Sequence, residues 1–426
     1  MSYFQLTRPN GLYGEIELQG SKNAALPMIA AAVLCKGVTV LDNCPDISDV
    51  REMTGLLESI GCTCRREKKS LVIDASKTDY ADIPAADVKK LRSSVVMLGV
   101  LLGRMGSVRL SYPGGCKIGN RKIDIHLEIF RELGYETEEH DDEMIMASGR
   151  IHGDCHMILR YASVGATENG ILASVLSDGY IVILENVARE PEIVELCNML
   201  NGMGADITGA GSSRIMIKGV KELHESRYTI GSDRIVAGTY AAAAVAAGGR
   251  IVLHGVRPHI DSEVMMLCSR MGLKYTCEED NMVLEARVLP EHHMYAGDFI
   301  ISTAPYPGFP TDMQSQFMAV MCKKAETGII VENVFENRLN TADMLKKMGA
   351  DIQVVSERVA LINGVSRLTG CSVQAPDLRG GAALVIAGLV SDGETIVEDA
   401  EYIERGYENL ERDFRELGVN IKMRRT

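Results

Sequence analysis

The chain has no tryptophan, and aromatic residues make up only 5% of its 426 residues. Large rings therefore supply little of the core, and small residues have to pack its helices against one another. Long apolar runs are also missing, since the most apolar stretch, residues 24–34, is too short to span a bilayer. The first residues lack the apolar core of a signal peptide, so we expect a cytoplasmic protein without a membrane partner.

The sequence also lacks an excess of positive charge. Its 45 lysines and arginines are outnumbered by 58 acidic residues, and the net charge is −13. A nucleic-acid partner is therefore disfavoured, and an anionic substrate would have to be held by a local basic cluster. The eleven cysteines are odd in number and scattered, which suits a reducing compartment. Neither they nor the nine histidines show a metal-ligand spacing, so we predict no metal site.

An internal repeat divides the chain into six parts. In each part a helix-like run ends in a glycine, the residue that most easily adopts the positive φ found after helices. These marker glycines recur at intervals of 68–77 residues, at Gly61, Gly134, Gly204, Gly272, Gly349 and Gly418. Each part also contains an apolar segment of small residues, typical of a buried helix, and a β-branched run, typical of a strand.

Each part therefore reads as one βαβαββ unit, with a first strand ahead of its buried helix. Examples of that strand are GEIELQG (residues 14–20) and RYTIGS (residues 227–232). The alternative is that the segments of an α/β protein resemble one another by chance. Six copies in phase make chance similarity improbable. Because the period is too long for common solenoids and the chain too long for one core, we expect two globular domains of three units each.

Cations recur where the buried helices begin. A helix N-terminus carries a partial positive charge that favours anions and opposes cations. Four helix starts nevertheless carry a cation, at Lys22, Arg92, Arg234 and Arg379. Solvated caps are one explanation. A shared anionic ligand between the domains is the other, and recurrence in an acidic protein favours it.

The loop at residues 112–126 contains a cysteine in an unusual setting. Cys116 follows two glycines and lies next to Lys117 and near Arg121. Cationic neighbours favour the reactive thiolate form. A lone cysteine is more often an inert core residue, but this one is not on an apolar face.

Nine short motifs follow one another along almost the whole chain. They are GSKNAALP (20–27), PGGCKIGNR (113–121), SVGAT (163–167), AREPEIV (188–194), SDRIVAGT (232–239), PGFPTDMQ (307–314), FENR (335–338), DLR (377–379) and RGYE (405–408). In this order they resemble the UDP-N-acetylglucosamine 1-carboxyvinyltransferase family, a sister of 5-enolpyruvylshikimate-3-phosphate synthase. The Cys116 loop and Asn23 are typical of the UDP-sugar branch.

The resemblance implies an α/β fold, a two-domain inside-out α/β barrel built from six βαβαββ units, with the active site in the interdomain cleft. One domain would span residues 21–230 and carry the Cys116 loop. The other would combine residues 1–20 with residues 231–426. The implied partners are two small-molecule substrates, phosphoenolpyruvate and UDP-N-acetylglucosamine, and the protein would be a monomer or weak oligomer.

The resemblance also implies residue roles. Lys22, Arg121 and Arg405 would bind phosphoenolpyruvate, Asp312 would take the proton of the attacking hydroxyl, and Cys116 would act as general acid or assist product release. The residues implied to hold the nucleotide sugar are Asn23, Arg92, Arg121, Lys122, Ile123, Asp124, Ile125, Ser163, Val164, Gly165, Asp312 and Val334. Asp377 and Arg379 would order the cleft. No metal or organic cofactor is implied, because several cations can stabilise the developing charge.

Some positions depart from the family pattern. Ser48 stands where the family often has lysine, Tyr161 and Arg160 lie near another common lysine position, Lys122 replaces a usual proline, and Tyr306 a common histidine. These departures motivate an alternative, an enolpyruvyl transferase whose acceptor is shikimate 3-phosphate-like or another UDP-sugar. A catalytically inactive binding protein is a third possibility, but it would be expected to have lost the charged set.

We predict that Cys116 is the thiol alkylated by fosfomycin, a phosphonate epoxide resembling phosphoenolpyruvate. The adjacent cations favour its thiolate, and an anion site would hold the epoxide beside it. Peptide mass mapping should find the adduct on Cys116 rather than on the other ten cysteines, and faster with the nucleotide sugar bound. Cys116→Asp should resist the drug and stay active. Modification of a different cysteine would overturn the assignment.

Overall fold

The computed structural model describes residues 2–78, 82–114, 119, 122–140, 144–256, 262–288 and 297–425. The chain divides into two compact units. Unit 1 comprises Met1–Gln19, Lys117–Asn120 and Ser232–Thr426. Unit 2 comprises Gly20–Cys116 and Arg121–Gly231. Both units contain helices and sheets, so the predicted mixed α/β class is confirmed.

The strands are short, and in many of them buried and more exposed residues alternate, as expected of a sheet with one buried face. In chain order they are β1 (Ser2–Thr7), β2 (Leu12–Glu17), β3 (Val38–Asp42), β4 (Thr63–Glu67), β5 (Ser70–Asp74), β6 (Ser107–Ser111), β7 (Tyr135–His140), β8 (Met144–Gly149), β9 (Cys155–Ile158), β10 (Ile181–Glu185), β11 (Asp206–Thr208), β12 (Arg214–Lys218), β13 (Ser226–Thr229), β14 (Gly249–His254), β15 (Lys274–Glu278), β16 (Asn281–Ala286), β17 (Asp298–Ser302), β18 (Thr327–Val331), β19 (Asp351–Ser356), β20 (Val359–Asn363), β21 (Leu368–Thr369), β22 (Ser372–Gln374), β23 (Ser391–Asp392), β24 (Glu394–Glu398) and β25 (Ile421–Arg425).

The helices fall between these strands. In chain order they are α1 (Lys22–Ala31), α2 (Ser48–Ser59), α3 (Ala85–Val88), α4 (Met97–Met105), α5 (Asp124–Glu132), α6 (Val164–Ser174), α7 (Pro191–Gly202), α8 (Arg234–Ala247), α9 (Ser262–Arg270), α10 (Gln314–Lys324), α11 (Thr341–Lys347), α12 (Leu378–Gly388) and α13 (Leu410–Glu416). Short 3-10 turns occur at Ala32–Leu34, Arg92–Val96, Thr311–Met313, Arg338–Asn340 and Ala400–Arg405.

Each unit has its own sheets. Unit 2 contains the sheets β13-β3-β5-β4, β6-β8-β7 and β11-β12-β10-β9. Unit 1 contains the sheets β15-β16-β14-β2, β17-β18-β20-β19, β22-β24-β1-β25 and the small pair β21-β23. Each four-stranded sheet combines one parallel pair with antiparallel neighbours, as in β9 parallel to β10 and β10 antiparallel to β12.

The core of each unit is built on helices that are buried on nearly every side. They are α1, α4 and α6 in unit 2 and α8, α10 and α12 in unit 1. In α8, every residue from Ile235 to Ala246 is buried. Small apolar residues allow this, because neighbouring backbones can approach closely around a helix without a polar face. The other long helices, such as α5, bury one face only.

The six marker glycines adopt the conformation expected of them. Their φ angles lie between 84° and 100°, the left-handed region that side chains with a β-carbon rarely occupy. Each follows a helix and precedes a strand, as Gly134 does between α5 and β7. Glycine therefore recurs at these six positions because the backbone there adopts a positive φ.

One part of the repeat interpretation is wrong. The GEIELQG strand is expected to open the unit of α1, but as β2 it pairs in parallel with β14, which follows α8. Conversely β13, the strand ahead of α8, pairs in parallel with β3, which follows α1. Both strands are short and partly apolar, so local pattern alone does not say which sheet receives them.

We predict opposite stability effects for two matched Gly→Ala changes. Gly349 has φ 93°, and a β-carbon there would meet only Arg367 O, at 3.9 Å, so Gly349→Ala introduces backbone strain alone. It should cost about 1–2 kcal/mol. Gly55 lies exposed within α2 with no atom within 4 Å, so Gly55→Ala should stabilise by about 0.5–1 kcal/mol. Urea denaturation of the two variants measures both, and shifts of the same sign would contradict the backbone explanation.

Candidate active site

An acid–arginine cluster in unit 1 consists of Asp312, Arg338 and Arg379. The 3-10 turn before α10 carries Asp312, the turn before α11 carries Arg338, and the first turn of α12 carries Arg379. Arg338 Nη2 donates to Asp312 Oδ1 at 2.6 Å, and Arg379 Nη2 lies 3.5 Å from Asp312 Oδ2. The guanidinium side chains are 3% and 4% exposed, whereas that of Asp312 is 28% exposed. The cluster therefore presents a carboxylate to solvent above two buried cations.

The Arg379 guanidinium is stabilised in its charged form, although it is buried at the start of a helix. Burial disfavours the charged form, but the charge of Asp312, with Tyr407 and Asp233, outweighs burial and raises the pKa of Arg379 above its ordinary value. The guanidinium also lies 5.8 Å from the Tyr407 ring centroid. The N-cap Asp377 accepts from the backbone N–H groups of Arg379 and Gly380 at 2.8 and 3.0 Å. Carboxylates thus hold both the helix start and the cation in it.

Two donor atoms of this cluster have no hydrogen-bond partner among the described residues. They are Arg338 Nε and Arg379 Nη1, and both are buried. Buried guanidinium N–H groups ordinarily bind an acceptor, because leaving them unpaired costs free energy. Next to an exposed carboxylate, such donors are able to bind the oxygen of an anionic ligand.

The chain beside the cluster is ordered by one buried carboxylate, Glu332, which is 0% exposed. Its Oε1 accepts from the N–H of Val334 at 2.8 Å and from that of Phe335 at 3.1 Å. Its other oxygen accepts from the Thr311 hydroxyl at 3.0 Å, one residue before Asp312. Glu332 thus fixes the loop of Val334, a predicted ligand-binding residue, relative to the turn of Asp312.

In unit 2 the first turn of α1 holds a buried ion pair. Lys22 Nζ lies 2.7 Å from Asp49 Oδ2, and the side chains are 11% and 6% exposed. Ser21 caps the helix by accepting from the N–H of Ala24. A cation at this helix end is unfavourable by itself, and Asp49 in the first turn of α2 supplies the compensating charge.

The start of α6 brings several predicted residues together. Ser163 caps it by accepting from the N–H of Ala166 at 3.4 Å. Gly165 lies against His126 of α5, since a β-carbon on this glycine would stand 3.1 Å from the imidazole Cε1. At the start of α5, Asp124 is ion-paired with Arg160, whose Nε also lies 3.2 Å from Glu128. Burial opposes the Asp124 charge, but Arg160 outweighs it and lowers the pKa of Asp124.

Three carboxylates of unit 2 lie near enough to one another for their charges to interact. Glu168 of α6 is 6% exposed, and burial raises its pKa to about 8, with further increases from the charges of Glu192 and Glu190. Like charges in a poorly solvated space disfavour full ionisation. The surroundings of the Glu168 carboxyl group therefore favour its protonated form.

The predicted site residues occupy several distinct places. The structure brings Asp312 together with Arg379 and places Gly165, in the helix capped by Ser163, beside α5. Arg92 donates to Pro113 O at 3.4 Å, and Arg405 ends a 3-10 turn. Asn23 and Val164 lie in the first turns of α1 and α6, Lys122 is exposed, Ile123 is buried, and Ile125 is partly buried. Cys116 and Arg121 lie outside the described residues.

Several side chains that organise these places are not predicted from the sequence. Arg338 stands out there only as part of FENR, and the pairing of Asp49 with Lys22 is not foreseen. Glu332 and Glu168 are also missed, although a carboxylate directly after a β-branched run and one inside an apolar helix are both detectable signals.

Comparison with known proteins decides the family. The family model for EPSP synthase (3-phosphoshikimate 1-carboxyvinyltransferase) matches residues 6–414. A UDP-N-acetylglucosamine 1-carboxyvinyltransferase 2 of Caldanaerobacter subterraneus is 44% identical over 99% of both chains. A UDP-N-acetylglucosamine 1-carboxyvinyltransferase of Cellvibrio japonicus is 41% identical over 99% of both chains. The chain belongs to the UDP-N-acetylglucosamine 1-carboxyvinyltransferase family. Membership confirms the resemblance found in the motifs and the transferase class.

Solved structures agree at the level of fold. The enolpyruvyl transferase NikO from Streptomyces tendae superposes with a TM-score of 0.87 at 23% identity, over 99% of both chains. An EPSP synthase from Acinetobacter baumannii superposes with a TM-score of 0.72 at 17% identity, over the full length of both. The chain thus shares its fold with these enolpyruvyl transferases.

Candidate membrane spans and metal clusters are both absent from the residues that the structure describes. No helix there combines the length and apolarity needed to cross a membrane. Likewise, no group of three or more histidine, cysteine, aspartate or glutamate side chains in those residues is arranged to hold a metal ion.

The raised pKa of Glu168 predicts a pH-dependent stability. In the unfolded chain the carboxyl group has its ordinary pKa near 4.5, and in the folded protein its pKa is about 8. The stabilisation is therefore complete below pH 4.5 and is lost as the pH rises through 8. Wild type should lose about 2–4 kcal/mol of unfolding free energy over this range relative to Glu168→Gln. Urea denaturation from pH 5 to 9 measures the difference. Glu138→Gln on exposed β7 is the control, and parallel profiles for all three proteins would refute the assignment.

Proposed function

We propose that the protein transfers the enolpyruvyl group of phosphoenolpyruvate to the 3-hydroxyl of UDP-N-acetylglucosamine and releases phosphate. C3 of the enol gains a proton, and the sugar oxygen attacks C2 as its own proton leaves. A tetrahedral phosphoketal forms. Loss of phosphate and of a proton from C3 then restores the double bond in the enolpyruvyl ether. The reaction would be the first committed step of peptidoglycan precursor synthesis in the cytoplasm, and the protein a fosfomycin target.

The observation that carries this proposal is full-length similarity to relatives named for this transfer, at 39–44% identity. The relatives' names agree on UDP-N-acetylglucosamine. They therefore favour this acceptor over shikimate 3-phosphate or another UDP-sugar, although the chain departs from the family pattern at Ser48, Tyr161 and Lys122. In the structure the Arg234 guanidinium lies 5.7 Å from the centroid of the Tyr306 ring, so the tyrosine at this position contacts a cation.

The acid–arginine cluster supports a role for Asp312 as the group that receives the hydroxyl proton. A general base has to be held in a fixed position and reached by substrate. Arg338 and Arg379 hold both carboxylate oxygens, and 28% of the side chain remains exposed. The unpaired donors of the two guanidinium groups would bind oxygen atoms of the substrates.

Lys22, Arg121 and Arg405 would hold the phosphate and carboxylate of phosphoenolpyruvate, and Cys116 would deliver a proton or assist product release. Phosphate carries away negative charge as it leaves, and fixed cations stabilise that charge without reorganising. Lys22 is already held by Asp49 at 2.7 Å, so its ammonium group is positioned before substrate arrives. The residues proposed to hold the nucleotide sugar are Asn23, Arg92, residues 121–125, residues 163–165, Asp312 and Val334. Asp377 and Arg379 would order the cleft.

We further propose that the two compact units correspond to the two domains, residues 21–230 and residues 1–20 with 231–426. The finer architecture implied by the resemblance, an inside-out barrel of six βαβαββ units with its active site in a cleft, is part of the same proposal. An experimental structure with both substrates bound tests it.

We expect phosphate release from phosphoenolpyruvate in the presence of UDP-N-acetylglucosamine, and much slower release with shikimate 3-phosphate or other UDP-sugars. Lys22→Ala and Arg405→Ala should each lower turnover by about two to three decades, because each removes a charge-assisted contact to a desolvated anion. Lys117→Ala should be mild, because no contact with the anion is assigned to Lys117 and a more distant charge is weakened by screening.

Two controls sharpen this assay. Lys22→Ala also removes the ammonium group that pairs with the buried Asp49 carboxylate, so the double change Lys22→Ala with Asp49→Asn separates lost stability from lost catalysis. Turnover restored by Asp49→Asn would show that Lys22 acts structurally. Equal effects of all three single variants would mean that the anion site is misplaced.

A further inference from the structure

We propose that Thr239, buried in α8, is a positioning residue for the transfer reaction, because its hydroxyl group closes a ring of side chains that holds Asp312 at a fixed distance from Arg379. The inference rests on the proposed function for the role of Asp312 as the base. Thr239 would act through Gln316 and Tyr407 rather than by touching a substrate.

The residues of this ring come from separate motifs of the sequence. Thr239 ends SDRIVAGT, and Tyr407 lies in RGYE. Gln316 follows PGFPTDMQ, the motif of Asp312, by two residues. The side chains of Thr239 and Gln316 are 0% exposed and that of Tyr407 is 2% exposed. Buried hydroxyl and amide groups have to find their partners within the protein, so their contacts show how the motifs are joined.

The Gln316 side chain holds the backbone of Asp312. Its Nε2 donates to Asp312 O at 2.9 Å and to Thr239 Oγ1 at 3.3 Å. A carbonyl oxygen only accepts, so the amide nitrogen must be the atom that faces it, and the second hydrogen of that nitrogen is directed at Thr239. The turn of Asp312 is thereby tied to α8.

The directions of two hydroxyl protons follow from the same reasoning. Thr239 Oγ1 lies 2.8 Å from Ile235 O, one turn earlier in α8, and 2.8 Å from the Tyr407 hydroxyl oxygen. Thr239 has a single hydroxyl proton, which it donates to the carbonyl oxygen of Ile235, an atom that can only accept. The Tyr407 hydroxyl must therefore donate to Thr239. The threonine oxygen thus donates once and accepts from both Tyr407 and Gln316, which is its full capacity.

Tyr407 connects Thr239 to Arg379. The guanidinium carbon of Arg379 lies 5.8 Å from the Tyr407 ring centroid. Because its proton is donated to Thr239, the Tyr407 oxygen can only accept, which suits a cation beside it. Arg379 Nη2 in turn lies 3.5 Å from Asp312 Oδ2, which closes the ring. Its members are Asp312, Gln316, Thr239, Tyr407 and Arg379.

The ring fixes Asp312 from two sides. Arg338 and Arg379 pair with its carboxylate, while Gln316 holds its carbonyl group. A reacting group works only in the right position, and a displacement of about 1 Å can lower a rate about a hundredfold. Removing the Thr239 hydroxyl takes away no charge and no group proposed to contact a substrate. A change in turnover would therefore report the position of Asp312.

The first test needs no substrate. Neutron diffraction from perdeuterated protein should place the hydroxyl deuterium of Tyr407 on the line to Thr239 Oγ1, and that of Thr239 on the line to Ile235 O. A Thr239 deuterium directed at Tyr407 would overturn the proposal.

The second test compares two changes at one position. Thr239→Val keeps the shape of the side chain and removes its hydroxyl group. Its kcat should fall by about tenfold to a hundredfold, while the KM values of both substrates change by less than about threefold. Thr239→Ser keeps the hydroxyl group and should recover most of kcat. Wild-type kcat in Thr239→Val, or the same loss in both variants, would refute the positioning role.

Tyr407→Phe tests whether the two hydroxyl groups act through one bond. If they do, the double change Thr239→Val with Tyr407→Phe should have the kcat of the slower single variant, within about threefold. A loss equal to the product of the two single losses would mean that the two groups act independently, and would contradict the ring.

Tyr240→Phe is the matched control for a loosened helix. Tyr240 follows Thr239 in α8, is 1% exposed and donates its hydroxyl proton to Asp413 Oδ2 at 2.6 Å. Its loss should lower the Tm and leave kcat unchanged, since neither Tyr240 nor Asp413 belongs to the ring. A fall in kcat equal to that of Thr239→Val would mean that Thr239 acts only by stabilising α8.

Crystal structures of the wild type and of Thr239→Val separate this inference from the proposed function. In the variant, the Gln316 amide and the Tyr407 hydroxyl should turn away from position 239. Arg379 Nη2 should also leave its place 3.5 Å from Asp312 Oδ2. If the wild type releases no phosphate but these shifts occur, the proposed function fails and the positioning inference stands. Unchanged positions would overturn the inference, whichever acceptor the protein uses.

Discussion

The structure depends on cations placed where helices begin, the end at which the backbone field opposes them. Arg379 in α12 and Lys22 in α1 are the extreme cases, because both are also buried. Burial and the helix dipole both disfavour the charged form, so each cation requires a carboxylate partner. Asp312 meets this need for Arg379 and Asp49 for Lys22. Much of the polar architecture follows from satisfying these charges.

This constraint explains why the acidic residues of an overall acidic chain are not all on its surface. Asp233 and Asp377 cap helices, Asp312 bridges two guanidinium groups, and Glu332 ties the adjoining loop to the turn of Asp312. Such paired buried charges add little net stability compared with apolar packing. Their value is positional, because they hold donors in fixed directions at sites that a ligand anion can complete.

In unit 2, buried polar groups are satisfied by neutral side chains as well as by charged ones. Asn169 satisfies a backbone N–H of α4, a carbonyl of the preceding turn and the ring of His126 at once. Close by in sequence, Glu168 is held in a setting that favours its protonated form. Neighbouring residues on one buried helix thus have different protonation behaviour, set by their partners rather than by residue type.

Much of the fold could be read from local pattern. The six glycines, the apolar helices and the β-branched runs each follow from rules that act within one turn or one strand, and the structure shows each of them. The exchange of β2 and β13 between sheets could not be read in this way. Strand partners are chosen by tertiary packing, and the two strands offer similar surfaces to either sheet.

The candidate site likewise combines local features, which the sequence predicts, with long-range contacts, which it does not. The sequence alone determined which helix starts carry Lys22, Arg92, Arg234 and Arg379, because helix ends and charges are both local properties. It also determined the family, through the order of nine motifs. Only the tertiary structure decided that Asp49 meets Lys22, that Arg338 joins Asp312, and that Asn169 meets His126. The partners in each pair lie far apart along the chain, and such contacts arise from how helices pack rather than from any sequence spacing.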